Sequence, residues 1–363
     1  MTACAASVVL TTPALAGARD LQPRPWQPVF DGPTSAVAQL TGKERSSFSS
    51  QEDPPSENTG LPAARENFDV VSSLNPQKFG GVRVGEIADL TVHKGHAYLN
   101  SWDNTACDRG GVYVVDVRNP ASPKEIGYIE PLAPFYHGEG AHAIEVSVPG
   151  FDGDVLAVNN ETFGTNVANA CGPRDRSGGG FDLYDVSDPA NPRTLIQGAG
   201  DRDNGTPDDP SDDTATGNAY HSVFIWDTGP KAYLVASDNV ELEDVDIWDI
   251  TDPRRPTQVA DVDLATRFPQ ILANEKANGN AVFNHDMVVK RIDGRYIMSV
   301  SNWDAGYVQI DVTDPANPVY LTDTTTGADD FRPSLFAEGN AHQSEFSSDN
   351  QFLLGADEDF APF

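Results

Sequence analysis

Cysteine is scarce in this chain: three residues in 363, at positions 4, 107 and 171. That excludes the disulfide-dense class of small secreted scaffold. Basic residues are scarce too. There are 24 Lys+Arg against 55 Asp+Glu, only seven of them Lys, and the net charge is -31. A surface of that sign repels phosphate backbones, which excludes nucleic acid as a partner and suits cations, basic partners and salt-rich surroundings. No window reaches the roughly 18 apolar residues of a membrane-spanning helix, so no transmembrane span is expected. The Gly-x-Ser-x-Gly and His-Glu-x-x-His signatures are missing. The run Gly178 to Gly180 precedes an apolar strand pattern rather than a helix, which excludes a dinucleotide fingerprint.

What is present begins with a leader-like start. Residues 1–18 hold an apolar stretch from Ala5 to Leu10 and a small-x-small site at Ala14–Ala16, with no charge before Arg19. This predicts export, although the basic n-region of a signal is missing. The expected location is secreted or extracytoplasmic. Residues 19–66 are rich in Pro, Ser and charge and read as a largely disordered linker.

From residue 67 onward one phrase is written four times: "DVRNPASP" at Asp116, "DVSDPANP" at Asp185, "DITDPRRP" at Asp249 and "DVTDPANP" at Asp311. Each copy follows a short β-branched or aromatic strand: "GVYVVDV", "GFDLYDV", "DVDIWDI" and "YVQIDV". Asp-Pro or Asn-Pro then starts a turn, because the short side chain bonds nearby backbone and Pro presets φ. The anchors are 69, 64 and 62 residues apart. Two further strand patterns precede each anchor and one follows it. The unit is therefore four strands, A to D, and its length fits a propeller blade rather than a solenoid coil. The predicted fold class is all-β: a β-propeller over residues 67–363, with four complete blades and the start of a fifth.

The strand-then-Asp-Pro-x-x-Pro pattern resembles the LVIVD-repeat family of β-propellers. The resemblance implies fold and says little about chemistry. Four and a half blades fall short of the usual closed ring of roughly six to eight, which predicts a propeller incomplete at its C-terminus. "NFDVVSSLN" (67–75) is expected to be a strand D that completes the last blade from the N-terminus, since closure removes exposed strand edges.

Aligning the units on their strands puts His142, His221, His285 and His342 at the start of strand A in units two to five, with Asp89 in unit one. Just past strand B stand Asp103, Glu161, Asp238, Asp304 and Glu358. Strand A lines the channel of a propeller and strand B returns to the same face, so a His and a carboxylate from each blade are expected at one mouth. Imidazoles and carboxylates converging there can hold a divalent metal ion, with the paired acids orienting the imidazoles. The bland alternative is a packing device copied with the repeat. The insert from Gly200 to Asn218 is Asp-rich. It could offer oxygen ligands to Ca²⁺ but lacks EF-hand spacing, and reads as a solvated acidic loop. Cys107 and Cys171 fall in equivalent B–C loops of adjacent units, which predicts a disulfide if their Cα atoms approach to about 5.5 Å. Two functions stay open: a binding scaffold for a protein, glycan or cell-envelope partner, and a metal-assisted hydrolase or lyase working at the His-ringed mouth.

Overall fold

The computed structural model describes residues 5–9, 69–78, 80–81, 87–102, 109–162, 171–172, 178–202, 216–273, 283–303, 305–324 and 341–357. Strand β1 (Ala5–Val9) belongs to the fifth sheet. The first sheet is β2 (Ile87–His93), β3 (His96–Ser101), β4 (Val112–Asp116) and β5 (Lys124–Ile129). The second is β6 (Ala141–Val148), β7 (Phe151–Asn159), β8 (Phe181–Asp185) and β9 (Arg193–Ala199). The third is β10 (Tyr220–Asp227), β11 (Ala232–Asp238), β12 (Asp244–Asp249) and β13 (Thr257–Asp263). The fourth is β14 (Asn284–Ile292), β15 (Arg295–Asn302), β16 (Gly306–Asp311) and β17 (Val319–Asp323). Each is an antiparallel meander in chain order. The fifth sheet holds β18 (Ala341–Phe346) and β19 (Leu353–Asp357), with β1 antiparallel on the outer side of β19.

The repeated phrase closes the C–D turn of every complete blade. Its first Asp accepts the backbone N–H two residues on: Asp116 from Arg118, Asp185 from Ser187, Asp249 from Thr251 and Asp311 from Thr313, at 2.9–3.0 Å. The second acid or amide does likewise, Asp188 from Ala190 at 3.2 Å and Asp314 from Ala316 at 3.3 Å. A backbone bond from Asn191 to Asp188, and from Asn317 to Asp314, completes the turn at 3.0 Å. These groups would otherwise be left without partners where the strand stops.

Blades pack face to face through apolar residues alternating along strands A and B. Val223, Ile225, Leu234 and Ala236 of blade three meet Val155, Ala157 and Leu183 of blade two. Met287, Val289, Met298 and Val300 of blade four meet Val235, Val245 and Ile247 of blade three. Ala141, Ala143, Leu156 and Val158 of blade two meet Val112 and Val114 of blade one. The equivalent face of blade one differs. Leu90 and Val92 are 55% and 58% exposed, against 1% and 8% for their counterparts Met287 and Val289.

Two expectations change at the N-terminus. The lone segment expected as a strand D is not a strand over its described part, residues 69–75. It lies beside blade one, where Ser72 donates to the Pro120 carbonyl and Gln77 N–H to Glu125. Exposed Val70 and Val71 leave it no apolar face to bury in a sheet. The partner strand of blade five is instead Ala5–Val9, which the sequence assigns to the leader-like start.

Candidate metal centre at one mouth of the channel

The residues that open strand A are placed by a β-bulge. In blades three, four and five the A–B register skips one residue: Tyr220 faces Asp238 while Ser222 faces Ser237, Asn284 faces Asn302 while Asp286 faces Ser301, and Ala341 faces Asp357 while Gln343 faces Ala356. The extra residues are His221, His285 and His342. A bulged residue leaves the pleat and is re-aimed, here out of the sheet toward its neighbours. Blade one carries the same bulge at Ala88.

Blade two does not. Its register runs unbroken from Ala141–Val158 to Val148–Phe151. Counting back from the apolar pairs that pack alike, Ala141 and Ala143, Val223 and Ile225, Met287 and Val289, the residue two before each pair is Glu139, His221 and His285. Glu139 therefore holds the place that the sequence alignment gives to His142. His142 lies deeper, stacked on Phe224 with ring centroids 3.8 Å apart, its Nδ1 accepting from Ile225 N–H at 3.3 Å. Burial pushes it down to about 4, a neutral packing residue between blades two and three.

Glu139 and the other three histidines of the column converge. His342 Nε2 is 3.1 Å from Glu139 Oε2, and His221 Nε2 and His285 Nε2 are each 3.7 Å from the same oxygen. His221 Nε2 and His285 Nε2 are 2.9 Å apart. The far nitrogens are engaged. His221 Nδ1 donates to Glu161 Oε1 at 2.7 Å, and His285 Nδ1 to the His342 carbonyl at 3.1 Å. Both partners only accept, so in the neutral rings the Nδ1 positions carry the hydrogens and both Nε2 atoms present lone pairs. Two lone pairs at 2.9 Å, with a carboxylate oxygen beside them, require a cation between them: a proton or a metal ion.

Charge in the cluster is divided accordingly. Burial opposes the His221 cation, but Glu161 and Glu139 outweigh it and push the imidazole up to about 9. Burial, with the positive charge of His221 and His342, holds His285 far below the usual range. Burial also works against the Glu139 carboxylate, but the His342 hydrogen bond and the adjacent imidazoles keep it ionised. Trp303 stacks on His285 at 5.0 Å and Phe283 on Trp303 at 4.9 Å, walling the cluster on one side.

Among the expected carboxylates, Glu161 joins the site through His221. Asp89 lies beneath it, one residue beyond its bulge, and accepts from Ala141 N–H at 2.8 Å and Leu90 N–H at 2.7 Å. Burial and the nearby Asp286 push it up to about 7. Asp238 does not reach a His. It accepts from Asn218 Nδ2 at 2.9 Å and from Val240 N–H at 2.6 Å, closing the turn after strand B. Asp103, Asp304, Glu358 and Cys107 lie outside the described residues. Cys171 is buried and disulfide-bonded. Of the acidic insert, Asp201 stands near Asp246 and Asp261 with carboxylate oxygens within 4.8 Å of one another. Among the described residues no helix is long and apolar enough to cross a membrane.

The donor set suits a first-row ion. Three imidazole nitrogens and one carboxylate oxygen are ligands of Zn, Mn or Fe rather than of oxygen-seeking Ca²⁺ or Mg²⁺. Glu139, His285 and His342 have ligand atoms within 4.8 Å of one another, and the Nε2 of His221 adjoins two of them.

No family model matches the chain, and no curated protein matches it in sequence. Solved structures resemble it in fold. An α-L-arabinanase of Penicillium chrysogenum complexed with arabinobiose has a TM-score of 0.45 at 11% identity, covering 69% of this chain and 70% of that one. A β-1,3-galactosidase with galactodeoxynojirimycin has a TM-score of 0.44 at 10% identity, covering 79% and 90%. A β-fructofuranosidase of Bombyx mori has a TM-score of 0.41 at 12% identity, covering 74% and 54%. The four-stranded antiparallel sheets of this chain, each packed on the next, are the blades of a β-propeller.

Proposed function

We propose that this chain is an extracytoplasmic propeller of the LVIVD-repeat kind that binds a first-row divalent ion at the mouth of its channel and uses it for hydrolysis. The observation that carries the reading is the convergence of three imidazole Nε2 atoms and Glu139 Oε2, with two of the Nδ1 positions already committed to acceptors. Glu139, His221, His285 and His342 would hold the ion. Its chemistry there is the activation of water near neutral pH and the polarisation of a bound carbonyl or similar group. The chain's own groups contribute the rest. Glu161 and the His342 carbonyl orient two imidazoles, and Trp303 with Phe283 shields one side from solvent. Asp89, held near pH 7 and adjoining Asp286, can take up or give a proton in this region.

A second reading is favoured by the His221 imidazole itself. A proton on its Nε2 also relieves the 2.9 Å contact with His285, and the cluster is then a packing device within a binding scaffold for a protein, glycan or envelope partner. Metal analysis of protein purified without chelator separates the two. The metal reading expects about one Zn, Mn or Fe per chain, lost in His285→Ala and Glu139→Gln but retained in His142→Ala. Protein that is metal-free and takes up no Zn²⁺ at micromolar concentration leaves the scaffold.

A further inference from the structure

Glu161 contributes more to this mouth than one hydrogen bond, and its other contacts all bear on the ligand set. Its backbone forms an isolated antiparallel bridge with Tyr136: Glu161 N–H donates to the Tyr136 carbonyl at 2.8 Å, and Tyr136 N–H to the Glu161 carbonyl at 3.2 Å. That bridge fixes one end of the segment 136–140. The other end is fixed at Gly140, whose carbonyl accepts from Asn159 N–H at 3.2 Å and Asn100 Nδ2 at 3.0 Å. Glu139 projects from between these two anchors. The segment replaces the bulge that the other blades use, so blade two needs a different device to bring its ligand to the centre.

The side chain serves the neighbouring blade. Oε1 accepts from His221 Nδ1 at 2.7 Å and from Asn239 Nδ2 at 3.2 Å, which fixes the ring plane and the tautomer that leaves Nε2 free. Oε2 is buried, has no hydrogen-bond partner among the described residues, and lies against Gly138. A Cβ at Gly138 would stand 2.3 Å from Oε2 and 2.9 Å from the Tyr136 ring. Position 138 therefore admits no side chain unless Glu161 moves. Burying a carboxylate with one oxygen unbonded costs stability. An expensive group tied to two ligands from two blades points to a role in the site rather than in the fold.

We infer that Glu161 is the positioning residue of the metal centre: its side chain orients His221, its backbone sets the reach of Glu139, and Gly138 exists to let both happen at once. This rests on the metal reading of the mouth. The test uses the whole chain, with Co²⁺ as a spectroscopic probe and Zn²⁺ affinity measured by chelator competition. Glu161→Gln keeps the shape and an acceptor for His221 but removes the charge, and is expected to weaken Zn²⁺ binding about 10–100-fold, the usual loss when an outer-shell partner of a ligating His is changed. The Co²⁺ visible spectrum should change in position or intensity, with circular dichroism unaltered. Gly138→Ala, which leaves every named ligand in place, should weaken binding comparably. Glu145→Gln, at an exposed position on strand β6, should match the unmodified chain. Affinity within 2-fold of the unmodified chain in both Glu161→Gln and Gly138→Ala, with an unchanged Co²⁺ spectrum, overturns the inference and leaves the metal reading standing. Failure of the unmodified chain to bind Zn²⁺ or Co²⁺ overturns the metal reading itself, and this inference with it. If Glu161→Gln does not fold, Gly138→Ala alone decides.

Discussion

Asp244 is a carboxyl that folding keeps protonated. Burial, a hydrogen bond shared with Asp261 and the charge of Asp246 push it up to about 10. In the unfolded chain an Asp releases its proton near pH 4. Folding is thus unaffected by this group below pH 4, and is opposed by it increasingly from pH 4 to about pH 10, where the folded form ionises too. The sign is opposite to that of an ion-paired Asp. Asp244→Asn keeps an oxygen for the Val262 N–H, now bonded at 2.8 Å, and supplies a permanent donor toward Asp261. It should raise the midpoint of thermal unfolding at pH 7–8, by a gain of about 1–3 kcal/mol, and change little at pH 4. Parallel stability–pH curves for the two proteins would falsify the assignment. The same scale shows what the sequence disclosed of the site. His221, His285, His342 and Glu161 stand out because a repeat repeats its chemistry. Glu139 does not, because aligning on histidine slides blade two by three residues. Aligning on the apolar pairs Ala141/Ala143, Val223/Ile225 and Met287/Val289 recovers it. Those pairs are the better guide because a face buried against the next blade tolerates no slip of register.

At the scale of the element, two devices explain most of the architecture, and they differ in how readable they are. The Asp-Pro turn is written in local residues that bond their own backbone, so it and the strands on either side were legible. The strand-A bulge is a tertiary feature. One extra residue is accommodated at Ala88, His221, His285 and His342 but not in blade two, and no local composition marks the difference. The B–C loops carry the next prediction. A bond between Cys107 and Cys171 would close a loop of 64 residues, and Cys171 is fully buried within its own B–C loop. Non-reducing peptide mapping should recover a Cys107–Cys171 cross-link. Its removal by Cys107→Ala with Cys171→Ala should cost about 4 kcal/mol in the chain-entropy account. Two thiols that alkylate in native, unreduced protein would sink the pairing. So would a Cys4–Cys171 peptide, which the leader-like start makes chemically distinct.

For the whole molecule the dominant physical fact is charge of one sign. The chain carries 55 acids and 24 Lys+Arg, and much of its acid lies close together. Asp238, Asp244 and Asp246 are buried within one blade, and their pKa values are raised by burial and by one another or by Asp201, Glu241 and Asp261. Each such group loses hydration on folding and gains like-charged neighbours. Among the described residues the surface pairs that oppose this are few and at least half solvent-exposed on the lysine side, such as Lys94 with Glu145 and Lys231 with Asp249. Exposed pairs contribute about 0–1 kcal/mol each, too little to offset a net charge of -31. Compaction therefore works against self-repulsion, and salt should favour the folded form. Raising NaCl from 0.01 to 1 M shortens the screening length from about 30 Å to about 3 Å, less than the spacing of most surface charges. The unfolding midpoint at pH 7.5 is expected to rise throughout that range, most steeply below about 0.1 M, where long-range repulsion is still unscreened. At pH 4, where exposed carboxylates are partly protonated, the rise should be smaller. A midpoint that is flat or falls with salt at pH 7.5 would mean that the few ion pairs outweigh the repulsion, and that the acid excess is balanced locally by contacts such as Arg193 with Asp185.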